Sequence, residues 1–329
     1  MTWPPDWNLL LTIFQSVLLE ALPFVLIGVL VSALIEVFIS QDLIHRFLPK
    51  NRLISLLAAC LLGLLFPLCE CGIVPVVRRL IKKGVPVSAG IAFMLATPII
   101  NPVVITSTAM AFAHHPRMVA QRLLGGFLVA LTVGLVLELL YQGRKAERVL
   151  LPDRHHDHGH GHEHDHHGHD HDHDHGHIHD DPANAQRSRR SRLFPKLATT
   201  LSHATDEFFT TGRYLIIGAF LAAALQSVLS HQVLDTLGQS QIGSRFSMMG
   251  LAYGLSLCSE ADAFVASTFT HSFLPGAVLA FLLFGPMMDI KNTLMLLGNF
   301  SARFVILLIG LIAVTVFGYS FLISAALPI

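Results

Sequence analysis

Eight apolar runs take up most of this chain, at about 9–39, 53–77, 85–113 and 119–141, and again at about 204–230, 246–271, 274–299 and 302–327. Crossing the hydrocarbon core of a bilayer as a helix takes ~20 apolar residues. Inside that core every backbone polar group must be satisfied within the protein, which leaves helices or closed barrels. Runs of this length read as helices, so the expected fold is an all-α polytopic membrane protein of about eight spans. Prolines and polar groups interrupt the second and third run of each set, so some spans should be built from half-helices. Ten shorter segments result if those interruptions reverse the chain. Charge agrees with this class: only 13% of residues are Asp, Glu, Lys or Arg, against about 25% in soluble domains.

The runs divide the chain into a first transmembrane half (1–141), a polar linker (142–196) and a second transmembrane half (197–329). Met1 to Asn8 carries no basic n-region, and the run that follows is too long for a signal-peptide core. It should remain as the first span. Within the linker, 14 of the 25 residues from 155 to 179 are histidine: His155, His156, His158, His160, His162, His164, His166, His167, His169, His171, His173, His175, His177 and His179. Asp, Glu and Gly fill the rest apart from Ile178. Such a tract buries no core and is expected to be disordered without ligand. Imidazoles beside carboxylates suit Zn(II), Cu(II), Ni(II) and Co(II), so buffering, delivery or sensing of metal is expected; a solvated spacer is the plainer alternative.

Basic residues set the expected orientation. With eight spans, Arg78, Arg79, Lys82 and Lys83 share a side with the linker's Arg144, Lys145, Arg148, Arg187, Arg189, Arg190, Arg192 and Lys196. Arg46, Lys50, Arg52 and Arg117 fall opposite, so the linker side is expected to be cytoplasmic. No basic footprint for nucleic acid is present.

The chemistry concentrates at Cys69-Glu70-Cys71-Gly72, inside the second apolar run, and again at Cys258-Ser259-Glu260-Ala261-Asp262. An ionisable group at mid-membrane costs roughly 2.5–3.5 kcal/mol on insertion scales and is usually retained for function. Thiolates favour Cu(I), Zn(II) and other thiophiles, trivalent arsenic among them, while a carboxylate suits Zn(II) or carries a proton. Consecutive side chains on one helix splay apart, so a break beside Gly72 is needed for Cys69, Glu70 and Cys71 to meet one ion. The structural alternatives are cysteines that merely pack, with Glu70 paired to a basic residue, and a short polar loop holding Glu260 and Asp262. Asn101 and Asp289 each lie three residues after a proline (Pro98, Pro286), where a kink would turn them toward a central cavity; an interfacial Asp289–Lys291 ion pair is the alternative. Cys60 has no polar neighbour and reads as packing. All four cysteines lie in apolar runs, which argues against a disulfide framework.

These features recur at a fixed spacing. Gly28 corresponds to Gly218, Cys69 to Cys258 and Asn101 to Asp289, at separations of 190, 189 and 188 positions. Polar residues held in register this way point to an internal duplication, as in many transporters. An even number of spans per half makes the repeat parallel, and five per half makes it inverted. There is no P-loop, no Asp-Lys-Thr-Gly motif and no His-Glu-x-x-His pair. ATP-driven pumping by this chain and metalloprotease chemistry are therefore not expected, leaving a transporter coupled to a gradient and no enzyme.

The run Phe66-Pro67-Leu68-Cys69-Glu70-Cys71-Gly72-Ile73-Val74-Pro75, followed by Ala96-Thr97-Pro98-Ile99-Ile100-Asn101-Pro102, resembles a predicted-permease family that contains organoarsenical efflux permeases and bacterial copper/zinc efflux transporters. The resemblance extends over nearly the whole chain. It implies an inner-membrane efflux permease with the cysteine motif as substrate contact and, in some members, a second small membrane subunit. With a Cys-Glu-Cys motif and a histidine-rich loop, the chain looks more like the copper/zinc type. Export of zinc or copper is the leading expectation, without a resident cofactor. The expected substrate contacts are Cys69, Glu70, Cys71, Cys258, Glu260, Asp262, Asn101 and Asp289. Efflux of a trivalent organoarsenical or another thiol-reactive compound, and a metal-sensing membrane scaffold, are the rivals.

Overall fold

A computed structural model describes residues 7–38, 51–64, 69–141, 149–151, 182–228 and 240–326. The histidine tract, Arg46, Lys50, Pro67 and the N-terminal residues lie outside them. The described residues are helical almost throughout. The first set comprises α1 (Trp7–Phe38), α2 (Arg52–Leu62), α3 (Glu70–Lys82), α4 (Val87–Ile100), α5 (Pro102–Ala111) and α6 (Pro116–Leu140). The second comprises α7 (Pro182–Val228), α8 (Gln241–Leu255), α9 (Ser259–Thr268), α10 (Pro275–Met287), α11 (Ile290–Asn299) and α12 (Ala302–Ala326).

The boundaries follow from local chemistry. Asn51, Asn101, Ser240 and Asp289 cap α2, α5, α8 and α11, their side-chain oxygens accepting from backbone amides at 2.6–3.1 Å. Such caps satisfy amides that the first helical turn leaves without partners. Prolines at 102, 116 and 275 open α5, α6 and α10, where the missing N–H costs nothing.

Six helical segments among the described residues are long and apolar enough to cross a membrane: Trp7–Val37, Val87–Ala111, Pro116–Leu140, Thr200–Ser227, Pro275–Asn299 and Ala302–Ser324. The remaining two apolar runs each form a pair of short helices. Contacts show how these pairs run. On one face of α4, Leu56 and Ala92 both press on Gly134, and Gly63 abuts Thr97, so α2 and α4 run the same way. Helix α3 ends at Lys82 and α4 begins at Val87, and across this short turn Ile81 and Val77 of α3 pack on Gly90 of α4, so α3 runs against α4. The chain therefore reverses between α2 and α3. The second set repeats this: Arg245 and Ala252 of α8 approach Gly276 and Gly285 of α10, while Asp262 of α9 and Phe269 just after it approach Gly285 and Phe281. Ser256, at φ 52°, ψ 42°, supplies the left-handed residue at that reversal.

One end of the molecule is basic. Arg79 and Lys83 pair with Glu36, Arg79 also with Glu207, and Arg52 with Glu138. Arg78 donates to Asn299 at 2.8 Å and to the Leu151 carbonyl at 3.1 Å. Arg52 thus shares an end with Arg78 and Arg79, where an eight-span reading places it opposite; the reversal after α2 is the reason. Followed from this end, α1 arrives, α4–α5 departs and α6 returns, whereas α7 departs, α10–α11 returns and α12 departs. Corresponding helices of the two sets run in opposite directions.

The broken helices α4–α5 and α10–α11 are the most enclosed of the six long segments. The outer helices expose leucine, valine, isoleucine and phenylalanine, for instance Leu19, Phe209, Ile306 and Val314, as lipid contact requires. Close packing fixes α1 on α3: Gly28 lies so near the Gly72 backbone that a Cβ would overlap its carbonyl, and a Cβ on Gly72 would lie 2.6 Å from the Phe24 oxygen. Replacing Gly28 with valine should destabilise the protein by about 1–3 kcal/mol through overpacking. Gly212→Ala, where nothing lies within 4 Å, should be neutral; thermal unfolding in detergent compares the two.

Candidate functional site

The functional side chains sit where helices begin inside the protein. Cys69 immediately precedes α3, with extended backbone (φ −80°, ψ 171°), and Cys258 precedes α9 in the same way (φ −77°, ψ 158°). Because Cys69 is extended rather than helical, its side chain can face the same cavity as that of Cys71. Gly72, where the sequence placed the break, is helical, and it is small because α1 presses on it. Asp289 starts α11 and holds the Asn292 amide at 2.6 Å.

These starts converge. Cys69, Glu70, Cys71, Cys258 and Lys291 line one cavity together with Val17, Glu20, Ala21 and Phe24 of α1. It is tight, about 10 Å³ of water-accessible volume, room for about one water, so any larger occupant requires the helices to part. All four residues around its charged floor are nearly inaccessible: Glu70 2%, Cys71 1%, Lys291 3% and Asp289 0% exposed.

The Lys291 ammonium stands 3.6 Å from Asp289 and 4.0 Å from Glu70. Both separations exceed a hydrogen bond, and one oxygen of each carboxylate (Oε2 of Glu70, Oδ2 of Asp289) has no donor. Buried polar atoms are nearly always satisfied, so these loosely held carboxylates are the exceptions that single out the site. Across the cavity the Cys258 thiol donates to the Glu20 carboxylate at 2.5 Å.

The expected contacts therefore divide. Cys69, Glu70, Cys71 and Cys258 come together on the cavity wall, and Asp289 joins them through Lys291. Its ion pair with Lys291 is fully buried. Glu260 and Asp262 lie in the first turn of α9, not in a loop, and neither lines the cavity. Asn101 is buried, its side-chain oxygen accepting from the Val103 amide at 2.7 Å, and it too lies away from the cavity. Sequence reasoning left Glu20 unassigned; a lone carboxylate near the middle of an apolar helix was its only signal. Arg122, 2% exposed, was also missed, because it stands near the start of its span and reads as interfacial. Among the described residues, no three His, Cys, Asp or Glu side chains stand close enough to hold a metal ion together.

A family described as "Predicted permease" matches residues 6–325. The UPF0718 protein YcgR of Bacillus subtilis is 46% identical over 324 residues, covering 98% of this chain and all of that protein. A Streptococcus mutans protein named "Putative two-component membrane permease complex subunit" is 36% identical over 314 residues, 95% of this chain and 94% of its own length. No solved structure matches the chain.

Proposed function

Because the chain belongs to this predicted-permease family, matched along nearly its whole length, we propose that it is a multi-pass inner-membrane permease exporting a thiophilic metal ion, zinc or copper. One observation carries the reading: thiols from both helix sets share a cavity with Glu70 and Lys291, whose partner Asp289 and Glu70 itself each keep a buried oxygen without a donor. Cys69 and Cys71 take the cargo, with Cys258 and Glu70 facing it. The halves 1–141 and 197–329 act as inverted repeats, and a gradient drives one against the other to expose the cavity alternately. The basic end, which carries the linker, is cytoplasmic, and the histidine tract collects ions near it. By analogy with the name of the Streptococcus relative, a second small membrane subunit associates with the chain, which carries the cargo site and the transport itself.

A second reading is favoured by the absence, among the described residues, of three donors placed for a metal. A trivalent organoarsenical needs only the adjacent pair Cys69 and Cys71. Uptake of Zn(II), Cu(I) and a monomethylated trivalent arsenical into sealed vesicles holding the full chain, with and without a pH gradient, decides between them. Flux of one cargo above protein-free vesicles identifies it. No flux of any of the three removes the proposal.

A further inference from the structure

A second buried carboxylate lies in the first turn of α9 and does not line the cavity. Asp262 is 1% exposed, and neither of its carboxylate oxygens has a hydrogen-bond partner among the described residues. Its Oδ2 is seated against Gly285 of α10, 2.8 Å from where a Cβ would project. A charged carboxylate held this way, without a single donor, costs far more than a neutral one. The charged groups acting on it are Arg122 of α6, Asp289 and Lys291 at the α10–α11 break, and Glu260 of its own helix.

Arg122 is the nearest candidate counter-ion by its position, yet it is engaged elsewhere. Its guanidinium donates to the Thr108 hydroxyl at 2.6 Å and to the Ser259 carbonyl at 2.9 Å, and its Nε has no partner. Ser259 is the residue after Cys258. Whatever Arg122 does to that carbonyl is therefore felt one peptide away from the cavity thiol.

We propose that Asp262 is a proton-binding site that couples transport to a proton gradient, with Arg122 as the positioning residue that relays its state to Cys258. In the protonated form Asp262 is neutral and Arg122 clasps Ser259, locking the first turn of α9. When the O–H bond of the carboxylic acid breaks and the proton passes to water, the carboxylate draws Arg122 away from Ser259. The turn that carries Cys258 is then free to move. This role rests on the permease reading, but the site and its relay are measurable without cargo.

Two measurements on the full chain in lipid nanodiscs test it. Infrared spectra at pH 7 should contain a protonated-carboxyl band that Asp262→Asn lacks. In Arg122→Gln the band should persist at pH 9, where the wild type has lost it, because no cation is left to reward ionisation. Separately, Cys258 is labelled with N-ethylmaleimide in a background of Cys60→Ala, Cys69→Ser and Cys71→Ser. Labelling of Asp262→Asn should match the parent at pH 6 and fall behind it by at least about fivefold at pH 9, the lower end of typical coupling. A band unchanged in Asp262→Asn, or one that titrates identically in Arg122→Gln, overturns the proton site. Equal labelling rates at both pH values overturn the relay. Absence of flux in vesicles would dispose of the transport reading and leave these two results standing.

Discussion

Lys291→Met is expected to lower the stability of the protein by about 3–5 kcal/mol, the range for removing one member of a buried charge pair. Lys291 lies in the first turn of α11, 3% exposed, between Asp289 at 3.6 Å and Glu70 at 4.0 Å. Those two carboxylates belong to different helix sets, so the ammonium is the only described cation in the cavity wall that joins them. Without it they face each other at 0% and 2% exposure with no compensating charge. Much of the loss comes from the charges left behind, so neutralising them should restore it. The triple variant Lys291→Met, Glu70→Gln, Asp289→Asn is expected to recover most of the wild-type midpoint in denaturant unfolding, since Asn at 289 can still accept from the Asn292 amide. A single variant that unfolds like the wild type would show that Lys291 is not the counter-ion. Failure of the triple variant to recover would locate the loss in packing around the lysine stem.

How far the residues alone announced this arrangement depends on the kind of information each carried. Length and hydropathy identified the helical membrane class, and all eight apolar runs exist, six as long helices and two as pairs of short ones. The register of Cys69 with Cys258 and of Asn101 with Asp289 anticipated four helix starts at corresponding places. Hydropathy cannot report direction, because an apolar stretch reads the same whether the chain crosses or turns back. The reversal after Leu62 therefore stayed one of two options until Gly63 was seen against Thr97 and Gly90 against Ile81. The same ambiguity put Arg52 on the wrong end. Within the site, the cysteines and Glu70 were legible because sulfur and charge are rare in such runs. Asp262 follows Cys258 by about one turn yet does not line the cavity; Cys258 is the extended residue before α9, a boundary that helix periodicity does not announce. Glu20 contributes to the cavity from a helix with no motif at all, through a tertiary contact that no local pattern encodes.

Changing Cys69 and Cys71 together to serine should abolish transport, a loss of at least about a hundredfold if each thiolate contact to a soft cargo is worth more than 1.4 kcal/mol. Serine keeps the size and a hydroxyl donor but has little affinity for thiophilic species. Both side chains are buried, 3% and 1% exposed, and both line the cavity. Helix α3 does not depend on them: its first amides bond to the Cys69 carbonyl at 3.2 Å, a backbone contact that serine retains. Insertion and thermal stability should accordingly stay near wild type, which separates loss of the site from loss of the fold. Cys60→Ala serves as the comparison, because Cys60 is buried in α2 and does not line the cavity. It should cost some packing and leave flux intact. Vesicle uptake of the cargo identified for the wild type gives the answer. If the double serine variant still carries that cargo at the wild-type rate, the thiols are structural, and the work of binding passes to Glu70, Asp289 and Lys291 as a purely electrostatic site. If flux falls in Cys258→Ser as well, both helix sets contribute sulfur to one cargo, as the shared cavity wall requires.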